Sequence, residues 1–211
     1  MSALRERWSA LCGRLRPRSG GDLAGAAFDC LIALYDSPRR AYHNLEHIAA
    51  CLAELDRHGP SAQNRDLIEF ALWFHDCIYE PGRAGNETRS AQVARLFGTA
   101  LGQTEQSLQH VERLILATQH NAPPSDDAES LIIDIDLSIL GAEPAIYDAY
   151  VAAIRCEYAA ADTAQWRAGR GAFLESMLAR ARIFGSGAAR QRLEAPARAN
   201  LQRELAALDS R

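Results

Sequence analysis

Apolar residues recur along most of the chain at the three- and four-residue spacing of an amphipathic helix. In segment 43–58 the positions that follow this spacing are Leu45, Ile48, Cys51, Leu52 and Leu55. Segment 62–79 repeats the same period, and Pro81-Gly82 closes it. Because proline and glycine interrupt such segments at only a few points, the pattern predicts a chain that is helical almost throughout.

We predict about ten helices, over residues 4–15, 22–35, 43–58, 62–79, 86–101, 103–120, 126–140, 144–161, 163–184 and 192–208. Asn86 and Ser125 are candidate N-caps for the fifth and seventh of them, since short polar side chains accept hydrogen bonds from first-turn amides. The apolar stretch 131–140 also alternates as a strand would. We predict a helix there, because no partner strand is evident elsewhere in the sequence.

Length and composition agree with a single globular unit. The chain has 211 residues, 48% of them apolar and 24% charged, which argues against a disordered or fibrous protein. We therefore predict one all-α domain over 1–211, built as a helical bundle. Its motif-bearing core should span about 35–145, and further C-terminal helices should span about 145–209.

The charged residues narrow the possible functions. All 23 residues counted as lysine or arginine are arginine. The absence of lysine excludes Schiff-base chemistry and a lysine of the phosphate-binding-loop type. A formal net charge of −4 offers no basic field for nucleic acid, which we do not expect as a partner.

The number and spacing of the cysteines, and the length of the apolar runs, indicate the cellular compartment. The five cysteines are far apart and odd in number, so neither a disulfide framework nor a structural zinc site is expected. Buried free thiols are typical of a reducing cytoplasm, which is the predicted location. No apolar run is long enough to span a membrane. The sequence leaves the oligomeric state open.

Three short stretches place histidine or aspartate among apolar residues. The first contains His43 and His47, which are four residues apart and would share one face of a helix. The second is the pair His75-Asp76, and the third is an apolar run that contains Asp134 and Asp136. For each stretch the polar side chains need a partner, because a buried carboxylate must be paired or bound to a metal ion.

One divalent cation would satisfy all three stretches. The expected ligands are His47, His75, Asp76 and Asp136. Imidazole nitrogen and carboxylate oxygen together suit Mn, Fe, Co, Ni or Zn rather than Ca, with Mg also open. Four protein ligands would leave positions for water, whose pKa a metal lowers. Taken singly, each stretch has an ordinary structural alternative, such as a capping histidine or an aspartate paired with arginine.

The order of these residues resembles the HD superfamily of metal-dependent phosphohydrolases, whose signature is a His, a His-Asp pair and a distal Asp. The sequence is most similar to an uncharacterised bacterial group of predicted HD phosphohydrolases. The matching segments are 40–48, 74–79, 86–91, 117–120, 134–141, 155–158, 169–170 and 197–201, so the resemblance covers about 35–205. It implies an all-α fold and a metal centre, and it says little about the substrate.

The resemblance implies a role for each matching residue. His47 corresponds to the first ligand, His75 and Asp76 to the pair, and Asp136 to the last ligand. Asp134 lies two residues from Asp136 and would face elsewhere on a helix. It is therefore the weaker ligand candidate, and we expect it to be a partner for an imidazole.

Two further residues, Glu87 and His120, have two interpretations each. Asp76 or Glu87 would take the proton from the attacking water, although Glu87 could equally be a first-turn acid favoured by the helix dipole. His120 could bind a phosphate or a second metal ion, or complement the end of a helix.

Arginines must neutralise any substrate phosphate in a chain without lysine. The candidate substrate-binding residues are Arg40, His43, His120 and Arg155. Arg155 could instead form a structural network with Glu157 and Arg198, and Arg170 fits a structural role better than a binding one. Tyr42 and Tyr158 could stack on a nucleobase or pack in the core.

The expected function is hydrolysis of a phosphate ester or anhydride by metal-activated water, with a small nucleotide as the substrate. The alternative is a non-catalytic regulatory module that binds a nucleotide or a metal ion. A third interpretation is a helical protein that a metal merely stabilises. An alarmone hydrolase is less favoured, because the acidic pair typical of those enzymes is not evident between His75 and Glu87.

Overall fold

The computed structural model describes residues 2–15, 23–57 and 64–209, and these ranges contain helices and no strand. The α-helices are α1 (Ser2–Leu15), α2 (Leu23–Tyr35), α3 (Leu45–Arg57), α4 (Arg65–Phe74), α5 (Asn86–Ala100), α6 (Glu105–Ala117), α7 (Asp127–Asp136), α8 (Pro144–Glu157), α9 (Thr163–Ala179), α10 (Gly187–Ala189) and α11 (Ala195–Asp209). A 3₁₀ turn (Leu137–Gly141) follows α7, and a π turn (Arg190–Glu194) joins α10 to α11 in one continuous helical run. The predicted all-α bundle of about ten helices is confirmed.

Helix boundaries differ from the prediction at both histidine motifs. α3 begins at Leu45, where the Asn44 side chain accepts a first-turn amide, so His43 precedes the helix. α4 ends at Phe74 instead of at 79, and the pair His75-Asp76 lies in the turn that follows. Both motifs therefore lie at helix ends, where a turn can redirect a side chain out of a helical face.

Both predicted N-caps are wrong. Asp126 caps α7 in place of Ser125, because its carboxylate accepts the amides of Ala128 and Glu129. Asn86 is the first residue of α5, where its side chain bonds the backbone of Glu80. The helix predicted over 126–140 is otherwise present as α7 and its 3₁₀ turn.

The last two predicted helices also have different bounds. The one expected over 163–184 ends at Ala179, and the one expected from 192 begins at Gly187. The breakpoints expected at 17–21 and 59–60, and the starts of the helices expected at 22 and 62, lie outside the described residues.

Two hydrophobic clusters meet at α7. The first is built from α1 to α7 around Trp8, whose ring packs against aromatic side chains of α4. The second joins the 3₁₀ turn, α8, α9 and α11 around Tyr147. α7 contributes Ile132 and Ile135 to the first cluster and Ile133 to the second. The polar end of α7 is thus fixed by packing on two sides, which positions its last residue.

No helix in the described part of the chain is both long enough and apolar enough to cross a bilayer. The single-domain organisation and the cytoplasmic location stay predictions.

A buried ion pair ties α9 to α11. Arg170 donates to the Glu204 carboxylate at 2.7 and 3.0 Å, and both side chains are less than a tenth exposed. Glu204 also accepts the hydroxyl of Tyr147, and Arg170 donates to the hydroxyl of Tyr150. Arg170 is therefore a structural residue.

Arg170→Ala is expected to lower the free energy of unfolding by about 3–5 kcal/mol, because it leaves the Glu204 carboxylate buried without its cation. The matched control is Arg203→Ala, which removes an exposed pair with Asp148 and should cost no more than about 1 kcal/mol. Urea unfolding of both variants measures the difference. Equal losses would contradict the role given to the buried pair.

Candidate metal centre

Two buried histidines turn their rings toward each other. His47 on α3 and His75 after α4 have their Nε2 atoms 3.1 Å apart. His75 Nδ1 donates to the carbonyl of Leu72 at 2.9 Å. Because that nitrogen carries the proton, Nε2 of a neutral His75 presents a lone pair to the space beside His47.

Two carboxylates complete this group. Asp76 Oδ2 lies 3.2 Å from His75 Nε2 and 3.6 Å from His47 Nε2. Asp136 Oδ1, at the end of α7, lies 3.4 and 3.3 Å from the same two atoms. Ligands about 2.1 Å from one ion are about 3.0 Å apart at right angles and about 3.4 Å apart in a tetrahedron. The spacing therefore fits four ligands of one metal ion.

Cys51 adds a sulfur atom to the group. It lies one turn after His47 on α3, and its Sγ is 3.7 Å from His47 Nε2. One ligand atom from each of His47, Cys51, His75 and Asp136 lies within 4.8 Å of the others, so these residues could hold a metal ion. From its place in the apolar period of 43–58, Cys51 is expected to be a core thiol. Its four-residue spacing from His47 is the signal that could have identified it.

The ionisable groups require a positive charge at this point. Burial alone would lower the pKa of the His75 imidazole, but Asp76 and Asp136 raise that pKa well above its usual value. Burial would raise the pKa of both carboxyls, yet His75 beside Asp76, and His120 and the other imidazoles beside Asp136, hold both values low. A proton or a metal ion must therefore sit among the two carboxylates and the imidazoles.

The Cys51 thiol stays neutral in the absence of a metal ion. Burial raises its pKa well above the usual value, and the nearby carboxylates of Asp136 and Asp76 add to the effect. A thiolate there requires a bound cation, because a metal ion deprotonates a coordinating thiol.

His120 orients one of the carboxylates. Its Nε2 donates to Asp136 Oδ2 at 2.8 Å, and its Nδ1 is buried without a partner among the described residues. The His120 backbone has φ of 56°, a left-handed conformation that is uncommon outside glycine. Arg180 donates to the His120 carbonyl, which holds this turn in place. The structure thus brings His120 into the centre as a partner of Asp136.

Asp134 faces away from the centre, as its helical spacing predicted. Its two oxygens accept the amides of Gly185 and Ser186 at 2.6 and 2.7 Å. The expected partnership with an imidazole is therefore wrong. A Cβ on Gly185 would lie 1.9 Å from Ser130 Oγ, so a larger residue there would require Ser130 to move where loop 180–186 approaches α7.

His43 lies beside the donor group and not within it. Its ring centroid is 5.9 Å from that of His47, and it stacks on Tyr79 at 4.0 Å. His43 Nδ1 donates to Glu157 at 2.7 Å, because a carboxylate only accepts.

Glu157 is a residue whose role the sequence did not reveal. It also accepts the amides of Tyr42 and His43. Burial alone would raise its pKa, but the hydrogen bonds from His43 and from the two amides lower it. The alternative network with Arg155 and Arg198 is wrong, since Arg198 pairs with Glu194.

The two arginines expected to bind phosphate contact backbone carbonyls. Arg40 donates to the carbonyls of His43, Asp76 and Cys77 at 2.6 to 2.9 Å, and so fastens the His43 turn to the second motif. Arg155 donates to the carbonyls of Tyr158 and Ala161 at the end of α8. Neither guanidinium is directed at the donor group, and phosphate binding by these two arginines stays a prediction.

Glu87 stays a prediction. It is half-buried in the first turn of α5, and it forms no hydrogen bond or ion pair in the described ranges. Ser90, one turn later, bonds the backbone of Ile78, which brings this helix start against the segment after Asp76.

Three cavities surround the donor group. A cleft of about 860 Å³ reaches His47, Cys51 and Asp136. A cavity of about 320 Å³ lies beside His43, and one of about 640 Å³ lies beside His120. The Asp76 and Asp136 side chains are 13% and 16% exposed, against 3% and 1% for His47 and His75, so the carboxylates are the more accessible side of a largely buried group.

Comparisons with protein-family models, with curated proteins and with solved structures find no match for this chain.

Proposed function

We propose that the chain is a metal-dependent phosphohydrolase of the HD type, in which His47, His75, Asp76 and Asp136 hold a divalent cation. The observation that carries this proposal is the gathering of four donor atoms from three separate helix ends at ligand spacing. Cys51 is a further donor, and a softer ion such as Zn or Co would favour it.

A bound cation would supply an activated water and polarise a phosphoryl oxygen. The surrounding residues fix the ligands for that task. The carbonyl of Leu72 holds the His75 ring with Nε2 facing inward, and His120 holds the Asp136 carboxylate. Asp76, which is more exposed than the two histidine ligands, would accept the proton that water loses.

The cavity beside His43 supports a nucleotide as the substrate. Its aromatic lining consists of Tyr79, Tyr150, Tyr158, Trp166 and Phe173. A volume of about 320 Å³ accommodates a nucleobase, and aromatic faces stack on any base without reading its edges. In this arrangement the base would lie on one side of His43 and the phosphate on the other.

A hydrolysis screen tests the function. Protein loaded in turn with Mn, Ni, Co and Zn should release phosphate from at least one nucleotide. Asp136→Asn should abolish this turnover, because a neutral amide binds the cation weakly and does not neutralise its charge. Asp148→Asn is the matched control on the surface of α8, and it should keep full activity.

The outcomes separate the two candidate functions. A clean negative across nucleotides and simple phosphate esters, with the metal bound, would reject hydrolysis. Nucleotide binding without turnover would then favour the regulatory module.

A further inference from the structure

The cavity beside His120 carries three arginines. Its lining includes Arg180, Arg182 and Arg190, from the segment between α9 and α11. Arg180 donates to the carbonyl of His120, and Arg190 donates to the carbonyl of Gly185. Arg182 is exposed and has no hydrogen bond within the described ranges. Since a guanidinium has five N–H donors, most donors of this group stay available.

None of these three guanidinium groups has an acidic partner among the residues that the structure describes. Most other arginines do, including Arg7 and Arg95 on the surface. Burial lowers the pKa of Arg180, with no carboxylate to offset it. Three guanidinium groups without an acidic partner around one cavity give it a positive potential, which attracts an anion.

The one carboxylate in the cavity wall does not fill this role. Asp134 is buried, and each of its oxygens accepts a backbone amide, from Gly185 and from Ser186. It forms no ion pair with the three arginines, although all four residues line the same cavity. Asp134 therefore does not pair with the three guanidinium groups, and their remaining donors can bind an anion that enters from solvent.

We propose that the Arg180–Arg182–Arg190 cavity binds a phosphate group. Arginine suits phosphate because its planar fork donates two parallel hydrogen bonds to the oxygens. His120 joins the cavity to the metal centre, since its Nε2 contacts Asp136. The bound group is either a second phosphate of the substrate, an identification that rests on the proposed function, or a free phosphate ion.

Titration of inorganic phosphate into metal-free protein tests the cavity independently of turnover. In metal-free protein the anion cannot bind a cation at the centre. Calorimetry should show binding to the wild type, and Arg182→Gln with Arg190→Gln should weaken it by at least roughly tenfold. The single variant Arg182→Gln removes no internal contact and should give a smaller loss. Arg167→Gln on α9, outside this cavity, is the control with the same charge change.

Comparison of AMP and ADP in metal-loaded protein distinguishes the two sources. If the cavity holds a second phosphate of the substrate, ADP binds more tightly than AMP and loses that advantage in the double variant. If it holds a free anion, AMP and ADP bind equally. Unchanged phosphate affinity in the double variant, with a melting temperature equal to that of the wild type, would overturn the proposal. That result would leave the metal centre untouched.

Discussion

His75→Ala should lose the bound metal ion and all metal-dependent turnover. His75 Nε2 lies within 3.4 Å of a donor atom from each of His47, Asp76 and Asp136, so its removal opens the middle of the group. Loss of a residue that only orients a ligand typically weakens metal binding by about 10–100-fold. Loss of the ligand itself should exceed about 100-fold by the same reasoning.

Elemental analysis of the purified variant measures this loss directly, and phosphate release measures turnover. The control is His110→Ala, which removes a histidine of α6 that is not part of the donor group. Circular dichroism establishes that both variants are helical. Full metal occupancy in His75→Ala would mean that the ion binds elsewhere.

The helical period predicts the fold class. The order of the motifs predicts that His47, the pair His75-Asp76 and Asp136 lie close together. Apolar spacing is a local property, and helices of this length follow it closely. Asp134 and Asp136 show that helical spacing also predicts the face on which a side chain lies. Two helical residues two positions apart point to different faces, and the structure places only Asp136 in the donor group.

Local pattern did not predict where the helices end. The start of α3 depends on one side-chain bond, from Asn44 to a first-turn amide. The early end of α4 at Phe74 leaves the pair His75-Asp76 in a turn, where Arg40 binds the backbone of Asp76. The Asn44 bond is a local cap, whereas the Arg40 contact is tertiary and holds the turn where the apolar period would continue to Tyr79.

The chemistry of arginine explains why the sequence could not predict the contacts of Arg40 and Arg155. A guanidinium donates equally well to a carbonyl or to a phosphate, and the sequence does not show which acceptor folding brings near. Arg40 and Arg155 met carbonyls. Glu157 illustrates the same limit, since its partner His43 is 114 positions away along the chain.

The stability of the folded chain should depend on metal and on pH together. A saturating metal ion at about 1,000 times its dissociation constant stabilises the folded state by about 4 kcal/mol. For a domain of this size that corresponds to a rise in Tm of roughly 8–16 °C. Chelator should reverse the rise.

The sign of the pH effect follows from His75. Its folded pKa lies well above the usual value of 6.5, so without metal its protonation stabilises the fold fully below that value. The stabilisation is lost as the pH rises through the folded pKa. The carboxyls of Asp76 and Asp136 have lowered pKa values, and their contribution disappears only in acid. Between about pH 6 and about pH 8.5 the metal-free protein should therefore become less stable.

A metal ion reverses this trend, because it displaces the same proton and binds more tightly as His75 loses it. The rise in Tm on adding Mn or Ni should be larger at about pH 8.5 than at about pH 6. Thermal melts with and without metal, at both pH values, measure it. The donor group of His75→Ala lacks the proton site, so that variant should show a smaller pH effect without metal. Equal metal-induced shifts at the two pH values would show that protons and metal do not compete for one site, which contradicts the arrangement of His47, His75, Asp76 and Asp136 around a single cation.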